Sequence, residues 1–279
     1  LKNTVHLTCI SSIRKMFGGN FINYIIMSNN HISSFTNSIQ SKKHKHWMLQ
    51  LFIGIEDNLN ITIDGNDIEG KCIIVDSNIE HCFSTGEEVC FTMLIEPTSS
   101  LALSLKSKYI DKIKGYGIID IHNTKHIQEK YFNFLKNHDK EGYLNFTNSV
   151  FKYLNVDQDN YTIVDKRIHK IMQRLNECDC HNHSIKNISD MVFLSPSRLS
   201  HIFKEQTGMP LKSYILLHKI QKAYFLLLSG KYSITDAAMM AGFDSASHLA
   251  YTNKCMTGMN ISGILKNSKF LKVSNYSKV

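Results

Sequence analysis

The chain has 279 residues, of which 43% are hydrophobic and 20% are charged. These proportions are typical of a globular protein and exclude a disordered chain, and the length suffices for two domains. No run of about eighteen apolar residues occurs, which excludes a membrane span, and the N-terminal residues lack the order of a secretion signal. Seven scattered cysteines without the spacing of a disulfide framework favour a reducing compartment. We therefore expect a cytoplasmic protein with two domains.

Positive charge is concentrated in the second part of the chain. Residues 1–162 contain 16 Lys and Arg against 17 Asp and Glu, whereas residues 163–279 contain 16 against 7. The net charge of +8 therefore comes from the C-terminal part. A basic domain joined to a neutral one favours a module that binds a polyanion, and an ordinary basic surface is the alternative.

Short strands are predicted in the N-terminal part. Apolar residues alternate from Trp47 to Ile55, with the period of a half-buried strand. The dipeptide Asp64-Gly65, typical of tight turns, lies between two further apolar runs. This spacing predicts a small antiparallel barrel or sandwich over about residues 20–97.

Two amphipathic helices are predicted within about residues 98–156. Their apolar residues are Ile127, Tyr131, Phe134 and Leu135 in the first, and Tyr143, Phe146, Val150 and Leu154 in the second. These faces either cover the barrel of their own chain or pair with a second subunit, which would give a homodimer through residues 125–154. The polar residues 157–163 are typical of a linker between a domain at 1–156 and one at 164–279.

The basic part is predicted to be helical and contains an internal repeat at an offset of fifty residues. The identities are Ser195, Ser197, Leu199, Lys204, Thr207, Gly208 and Met209 with Ser245, Ser247, Leu249, Lys254, Thr257, Gly258 and Met259. Each copy is typical of a helix–turn–helix unit, with serine as N-cap and glycine just past the helix end. A long apolar helix of roughly 17 residues, ended by Gly230, joins the copies. Two such units on one helix can enter successive major grooves of DNA, about 34 Å apart.

The stretch from Leu194 to Gly208 resembles the first recognition helix of the AraC/XylS-type transcriptional regulators. Residues 223–228, 234–238 and 241–243 resemble the central helix and the second unit of the same family. The resemblance covers about residues 164–266. It implies a seven-helix domain that binds double-stranded DNA, usually activates transcription by RNA polymerase, and is often joined to a regulatory barrel.

The resemblance also places the DNA contacts of this chain. Its groove-facing positions fall at Ser197, Ser200 and His201 in the first recognition helix and at Ala246, Ser247 and Tyr251 in the second. The side chains that we assign to the phosphates are Arg198, Lys204, Lys219, Ser245 and Lys254. Hydroxyls and imidazoles hydrogen-bond to base edges, whereas phosphate contacts set the register. With roughly six phosphates engaged, log K should fall with log salt at a slope of about −5.

Two departures from the family concern the second unit. Lys219 stands where the family usually has Arg, and Asn253 stands where it usually has a buried Phe. We therefore expect the second recognition helix to be held less rigidly than the first and to discriminate bases less.

Histidines mark a candidate pocket in the N-terminal part. His44, His46 and Gln50 share strand parity and, with His81, resemble the start of a cupin barrel. They favour a polar small-molecule pocket, with rim histidines as the alternative. A metal-dependent cupin normally offers a carboxylate where Gln50 stands, so we predict neither a metal nor a cofactor here. Contiguous residues do not easily surround one tetrahedral ion, so the Cys/His segment 178–183 is predicted to be a polar loop.

Together these features predict an α+β protein with two domains. The first is a cupin-like β-barrel with trailing helices, and the second is an all-α DNA-binding domain that ends in a short tail. The favoured function is a sequence-specific transcriptional regulator whose N-terminal domain senses a small effector or mediates dimerisation. We predict no enzyme activity, because glycine-rich phosphate loops and nucleophile-elbow patterns are missing from the sequence. The alternatives are a metal-dependent cupin enzyme fused to a DNA-binding domain and a regulator whose barrel serves only for interaction.

Overall fold

The computed structural model describes residues 23–28, 30–86, 89–121, 125–156, 165–177, 184–265 and 268–273. Its strands are β1 (Asn23–Met27), β2 (His31–Thr36), β3 (Leu49–Gly54), β4 (Leu59–Ile63), β5 (Asn66–Gly70), β6 (Cys72–Val75), β7 (His81–Phe83), β8 (Cys90–Ile95), β9 (Tyr116–Ile119) and β10 (Lys269–Lys272). Its helices are α1 (Ser100–Tyr109), α2 (Lys125–Asn137), α3 (Lys140–Tyr153), α4 (Lys166–Glu177), α5 (Ile185–Asp190), α6 (Pro196–Thr207), α7 (Leu211–Leu228), α8 (Ile234–Met240), α9 (Ala246–Thr257) and α10 (Ile261–Leu265). The predicted linker at 157–163 and the segment 178–183 lie outside these residues. In the part described, no helix is long and apolar enough to cross a membrane.

The N-terminal part contains two sheets that share a core. One has seven strands in the order β10-β1-β2-β8-β3-β6-β9, and the other has three in the order β5-β4-β7. Leu51 and Ile53 of β3 face the helices, whereas Phe52 between them packs against the smaller sheet. Strand β3 is thus buried on both faces, so the half-buried strand that its alternation predicts is wrong. The tight turn predicted at Asp64-Gly65 joins β4 to β5, and both residues have positive φ.

Helices α1 to α3 cover the outer face of the seven-stranded sheet. Their aromatic side chains contact Phe35 of β2, whose ring centroid lies 4.9 Å from those of Phe134 and Phe146. Burial of each such side chain stabilises the fold by about 1.5–3 kcal/mol. The apolar stripes of α2 and α3 are therefore buried against the sheet of their own chain.

The C-terminal part is the predicted repeat of two helix–turn–helix units. The first is α5 with α6, the second is α8 with α9, and α7 lies between them in the chain. With 18 residues, α7 is about 27 Å long. Ser195 and Ser245 accept hydrogen bonds from backbone amides of the first turns of α6 and α9. Gly208 and Gly258 end these helices in the left-handed conformation, at φ of 74° and 66°.

The last described residues of the chain pair with the sheet and also contact Phe225 of α7. Strand β10 pairs with β1 in parallel, from Tyr24 opposite Lys269 to Met27 opposite Lys272. The sequence predicted one DNA-binding domain over 164–279, so its last described residues are reassigned. Pairing with β10 covers backbone groups that β1 would otherwise expose at the edge of the sheet.

Candidate functional site

The two predicted recognition helices expose polar surfaces. On α6, the side chains of Leu199, Ile202 and Phe203 are buried and hold the helix against its domain. The predicted contact residues that are exposed are Ser197, Arg198, His201 and Lys204 on α6, and Ser245, Ser247, Tyr251 and Lys254 on α9 or at its cap. Ser200 and Ala246 are half-buried. This surface combines three positive charges with hydrogen-bonding groups, as binding to a nucleic acid requires.

Two polar side chains of α6 have partners within their own helix. The hydroxyl of Ser200 donates to the carbonyl oxygen of Pro196 at 2.8 Å. Nδ1 of His201 lies 3.8 Å from a carboxylate oxygen of Glu205, and both side chains are largely exposed. His201 is therefore the more available of the two for a base edge, because a contact across an exposed surface is weak.

Lys219 has a different environment from the other predicted phosphate contacts. Its ammonium donates to the carbonyl oxygen of Gly242 at 2.5 Å and lies 5.9 Å from the ring centroid of Phe243. This side chain is half-buried and joins α7 to the turn between α8 and α9. The structure thus gives Lys219 a role in positioning the second unit, and the phosphate contact predicted from the sequence stays a prediction.

Asn253 anchors the second recognition helix. Its side chain is fully buried, its Oδ1 accepts from the hydroxyl of Tyr224 at 2.5 Å, and its Nδ2 donates to the carbonyl oxygen of Met259 at 2.9 Å. Buried amides are tolerated when they are hydrogen-bonded in this way. Hydrogen bonds thus replace the aromatic packing at Asn253, and the expectation that this residue loosens α9 stays a prediction.

A cavity of about 110 Å³ lies between the two parts of the chain. Ile25, Ile32 and Leu94 line it from the seven-stranded sheet, and Leu217, Ile220 and Tyr224 line it from α7. The residues predicted from the cupin resemblance, His44, His46, Gln50 and His81, form its polar end. The space is smaller than the cavity of about 150 Å³ that holds benzene, and most of its lining is apolar, so it suits a small apolar group.

The polar end is built where the segment of His44 and His46 meets β7 of the small sheet and β3 of the large sheet. His44 and His81 are directly paired, with backbone hydrogen bonds of 3.0 and 2.9 Å. Oε1 of Gln50 on β3 lies 3.0 Å from Nε2 of His46 and 2.9 Å from Nε2 of His81. The residues converge although the chain bends between His46 and β3, so their common parity on one regular strand is not the reason.

Burial keeps these imidazoles uncharged at neutral pH. Desolvation, with smaller contributions from the neighbouring rings, lowers the pKa of His46 to about 3. Desolvation also lowers the pKa of His81 to about 4, and it lowers the pKa of His44. The polar end therefore offers neutral hydrogen-bonding groups and not a positive charge.

Contacts between the two parts connect the cavity to the second recognition helix. The backbone amide of Lys42 donates to the carbonyl oxygen of Gly258, the residue that caps α9. Elsewhere, the hydroxyl of Tyr214 on α7 donates to the buried carboxyl of Glu96 at 3.0 Å. The sequence signals no role for Gly258 beyond the helix cap, because its contact joins segments more than 200 residues apart.

Comparisons with known proteins agree with this architecture. A family model described as a helix-turn-helix domain matches residues 188–267. The arabinose operon regulatory protein of Salmonella typhimurium is 30% identical over 100 residues, which are 36% of this chain and 36% of that protein. The chain thus matches about a third of this relative's length. The probable transcriptional regulator LumQ of Photobacterium leiognathi is 20% identical over 227 residues, covering 78% of this chain and 89% of that protein.

Similarity to a solved structure extends over both parts of the chain. ToxT from Vibrio cholerae O395, solved with (E)-4-(8-methylnaphthalen-1-yl)but-3-enoic acid bound, superposes with a TM-score of 0.52 at 16% identity. The superposition covers 88% of this chain and 97% of ToxT. The chain thus shares the fold of ToxT, with a sheet-rich N-terminal part and a helical C-terminal part. Residues 188–267 thus contain the helix–turn–helix domain that the motifs of the chain indicate.

Proposed function

We propose that this protein is a sequence-specific DNA-binding regulator of transcription whose N-terminal domain binds a small effector. The observation that carries the proposal is the pair of helix–turn–helix units at the two ends of α7, each with an exposed recognition helix. The basic excess of the C-terminal part supports it, since it supplies the attraction to phosphates on which DNA binding depends. A regulator of this kind acts in the cytoplasm.

The effector is a small molecule that binds in the cavity beside α7. Its apolar body packs between the sheet and α7, and its polar end hydrogen-bonds to His44, His46, Gln50 or His81. The acid that ToxT binds supports this combination of an apolar body with a polar end. Because the cavity is lined from both domains, a ligand there stabilises one relative position of the domains, which couples its binding to DNA binding.

Activation and dimerisation complete the proposal. An activator contacts RNA polymerase, which is the second macromolecular partner that we propose. A homodimer through residues 125–154 would use the outer surface of α2 and α3, where Leu144 and Tyr153 are exposed. The inner surfaces of these helices are already covered by the sheet.

Selection of DNA from a random pool tests this function directly. The purified full-length protein, with and without cell extract as a source of effector, should enrich a site with two half-sites about 10–10.5 base pairs apart. Enrichment of no common sequence under either condition would contradict a sequence-specific regulator.

The two recognition helices should contribute differently to specificity. His201 and Tyr251 occupy equivalent positions in the repeat, and both are exposed. We expect His201→Ala to relax base preference in one half-site, with a loss of about 1–3 kcal/mol of discrimination, because imidazole hydrogen-bonds to base edges. Tyr251→Ala should relax the other half-site less. Binding to a panel of single-base variants of the selected site measures both effects, and a larger effect of Tyr251→Ala would show that the assignment is wrong.

Lys254→Ala should instead weaken binding to all sequences. A phosphate contact carries little sequence information, so its loss lowers affinity uniformly and flattens the salt slope by about one unit. Lys136→Ala is the matched control, because Lys136 also lies exposed in the last turn of a helix but in the N-terminal domain. An unchanged slope in Lys254→Ala, or an equal change in the control, would argue against the contact.

A further inference from the structure

The second helix–turn–helix unit forms part of the cavity wall. Met256 and Thr257 near the end of α9, Met259 just after it and Ile264 of α10 all line the cavity. Among the described residues, none that lines the cavity lies on α5 or α6. A molecule in the cavity therefore contacts the second recognition helix and not the first.

Hydrogen bonds join this wall to Asn253, which lies inside α9. The hydroxyl of Tyr224, a cavity-lining residue of α7, donates to Oδ1 of Asn253. Nδ2 of Asn253 donates to the carbonyl oxygen of Met259 at 2.9 Å, and the hydroxyl of Thr257 donates to the backbone carbonyl oxygen of Asn253 at 2.9 Å. The side chain of Asn253 is fully buried. Asn253 is thus hydrogen-bonded to three residues that line the cavity.

The first unit is joined to α7 in a different way. Phe203 of α6 occupies the position in the repeat that Asn253 has in α9, fifty residues further on. Its ring packs against Tyr214 of α7, with the ring centroids 5.1 Å apart. The hydroxyl of Tyr214 donates to Glu96 and not to α6. Neither Phe203 nor Tyr214 lines the cavity, so the polar link from the cavity reaches the second unit.

We propose that an effector in the cavity fixes the position of the second recognition helix and leaves the first unchanged, and that Asn253 is the positioning residue for this coupling. The coupling rests on the proposed function, since it specifies the half-site that the effector controls. A ligand shifts the position of α9 because it binds one arrangement of the cavity wall better than another. The wall residues move together with Asn253, because breaking their buried hydrogen bonds leaves polar groups without partners.

Amide hydrogen exchange of the full-length protein tests this coupling without DNA. Xenon is the probe, because it binds in small apolar cavities, and helium at the same pressure is the reference. At about twice its dissociation constant, xenon slows the exchange of amides that requires opening of the cavity wall by about threefold. We expect this slowing in peptides from α9 and a slowing of less than about 1.5-fold in peptides from α6. Equal slowing in both helices, or slowing in α6 alone, overturns the proposal.

Two tyrosine variants of α7 test the role of Asn253. Tyr224→Phe removes the hydroxyl that is bonded to Asn253 but keeps the ring at the cavity, so the slowing in α9 should fall below about 1.5-fold. Tyr214→Phe is the matched control, because it removes a buried hydroxyl of the same helix away from the cavity, and it should keep the slowing of about threefold. Each variant is compared with itself under helium, so a general loss of stability does not produce this difference. Full slowing in Tyr224→Phe would show that Asn253 does not couple the cavity to α9.

Leu94→Phe covers the case in which xenon does not enter the cavity. Leu94 lines the cavity from β8, and the larger side chain fills it from the sheet. Exchange in α9, relative to the unmodified protein, should slow more than exchange in α6. If neither xenon nor Leu94→Phe slows α9 more than α6, the coupling is wrong. Selection of DNA is an independent measurement, because a protein that shows the difference between α9 and α6 but enriches no common sequence keeps the coupling and loses the proposed function.

Discussion

Replacing Gly258 with alanine should destabilise the protein far more than the equivalent replacement of Gly208. Both glycines cap recognition helices at positive φ, so each alanine costs about 1–2 kcal/mol in backbone strain. At Gly208 the added methyl group meets no atom within 4 Å. At Gly258 it would lie against the carbonyl oxygen of Lys42 and 2.9 Å from Nδ1 of His44. Placing extra atoms in such a packed site lowers the stability by about a further 1–3 kcal/mol.

Unfolding of the two variants in urea, compared with the unmodified protein, measures this difference. We expect Gly208→Ala to lower the free energy of unfolding by about 1–2 kcal/mol and Gly258→Ala by about 2–5 kcal/mol. Both glycines cap a recognition helix, but only Gly258 lies against Lys42 and His44. The difference between the two losses of stability therefore measures that contact. Equal losses of unfolding free energy in the two variants would show that the end of α9 does not pack against the segment that carries His44.

Removing the amide of Asn253 should cost about 2–4 kcal/mol of stability. Asn253→Ala leaves the buried hydroxyl of Tyr224 and the carbonyl of Met259 without their partner and opens a small cavity. Tyr224→Phe removes the hydroxyl with little change of volume. The double variant should therefore lose less stability than the sum of the losses in the two single variants, with a coupling energy of about 0.5–3 kcal/mol.

Asn253→Phe tests whether the buried amide stabilises α9 better than the aromatic side chain that is usual in the family. The phenylalanine restores the residue that the family usually has, but it leaves the hydroxyl of Tyr224 buried without an acceptor. We expect this variant to be less stable than the unmodified protein in thermal and urea unfolding. Higher stability of Asn253→Phe would support the prediction made from the sequence, that Asn253 loosens the second recognition helix.

Local signals predicted the helical domain well, because they depend on neighbouring residues. The caps at Ser195 and Ser245 and the left-handed glycines at 208 and 258 lie where the repeat predicts them. These local signals do not reveal the contacts of Lys219 and Asn253. Their partners, Gly242 and Tyr224, lie 23 and 29 residues away, and family position alone does not reveal a hydrogen bond that this chain forms instead.

The candidate pocket was predicted only in part. The resemblance to a cupin barrel indicates His44, His46, Gln50 and His81, and the structure brings them together. Their apolar neighbours on α7 were not selected, since the periodicity of α7 says which residues are apolar but not what covers them. For the same reason the sequence left open whether α2 and α3 cover the sheet or a second subunit.

The sequence by itself determined the two-part organisation of this protein, its basic C-terminal repeat and the residues that its recognition helices expose. These properties follow from periodicity, capping and charge, each of which acts over a few residues. Tertiary structure alone decided that β10 joins β1, that Gly258 meets Lys42, and that the cavity lies between the sheet and α7. Each of these contacts joins segments distant in the chain, and such contacts form only when the packing of both surfaces is favourable at once. The chemistry of the polar end is decided there as well, because burial keeps the three histidines uncharged and the fold brings them together.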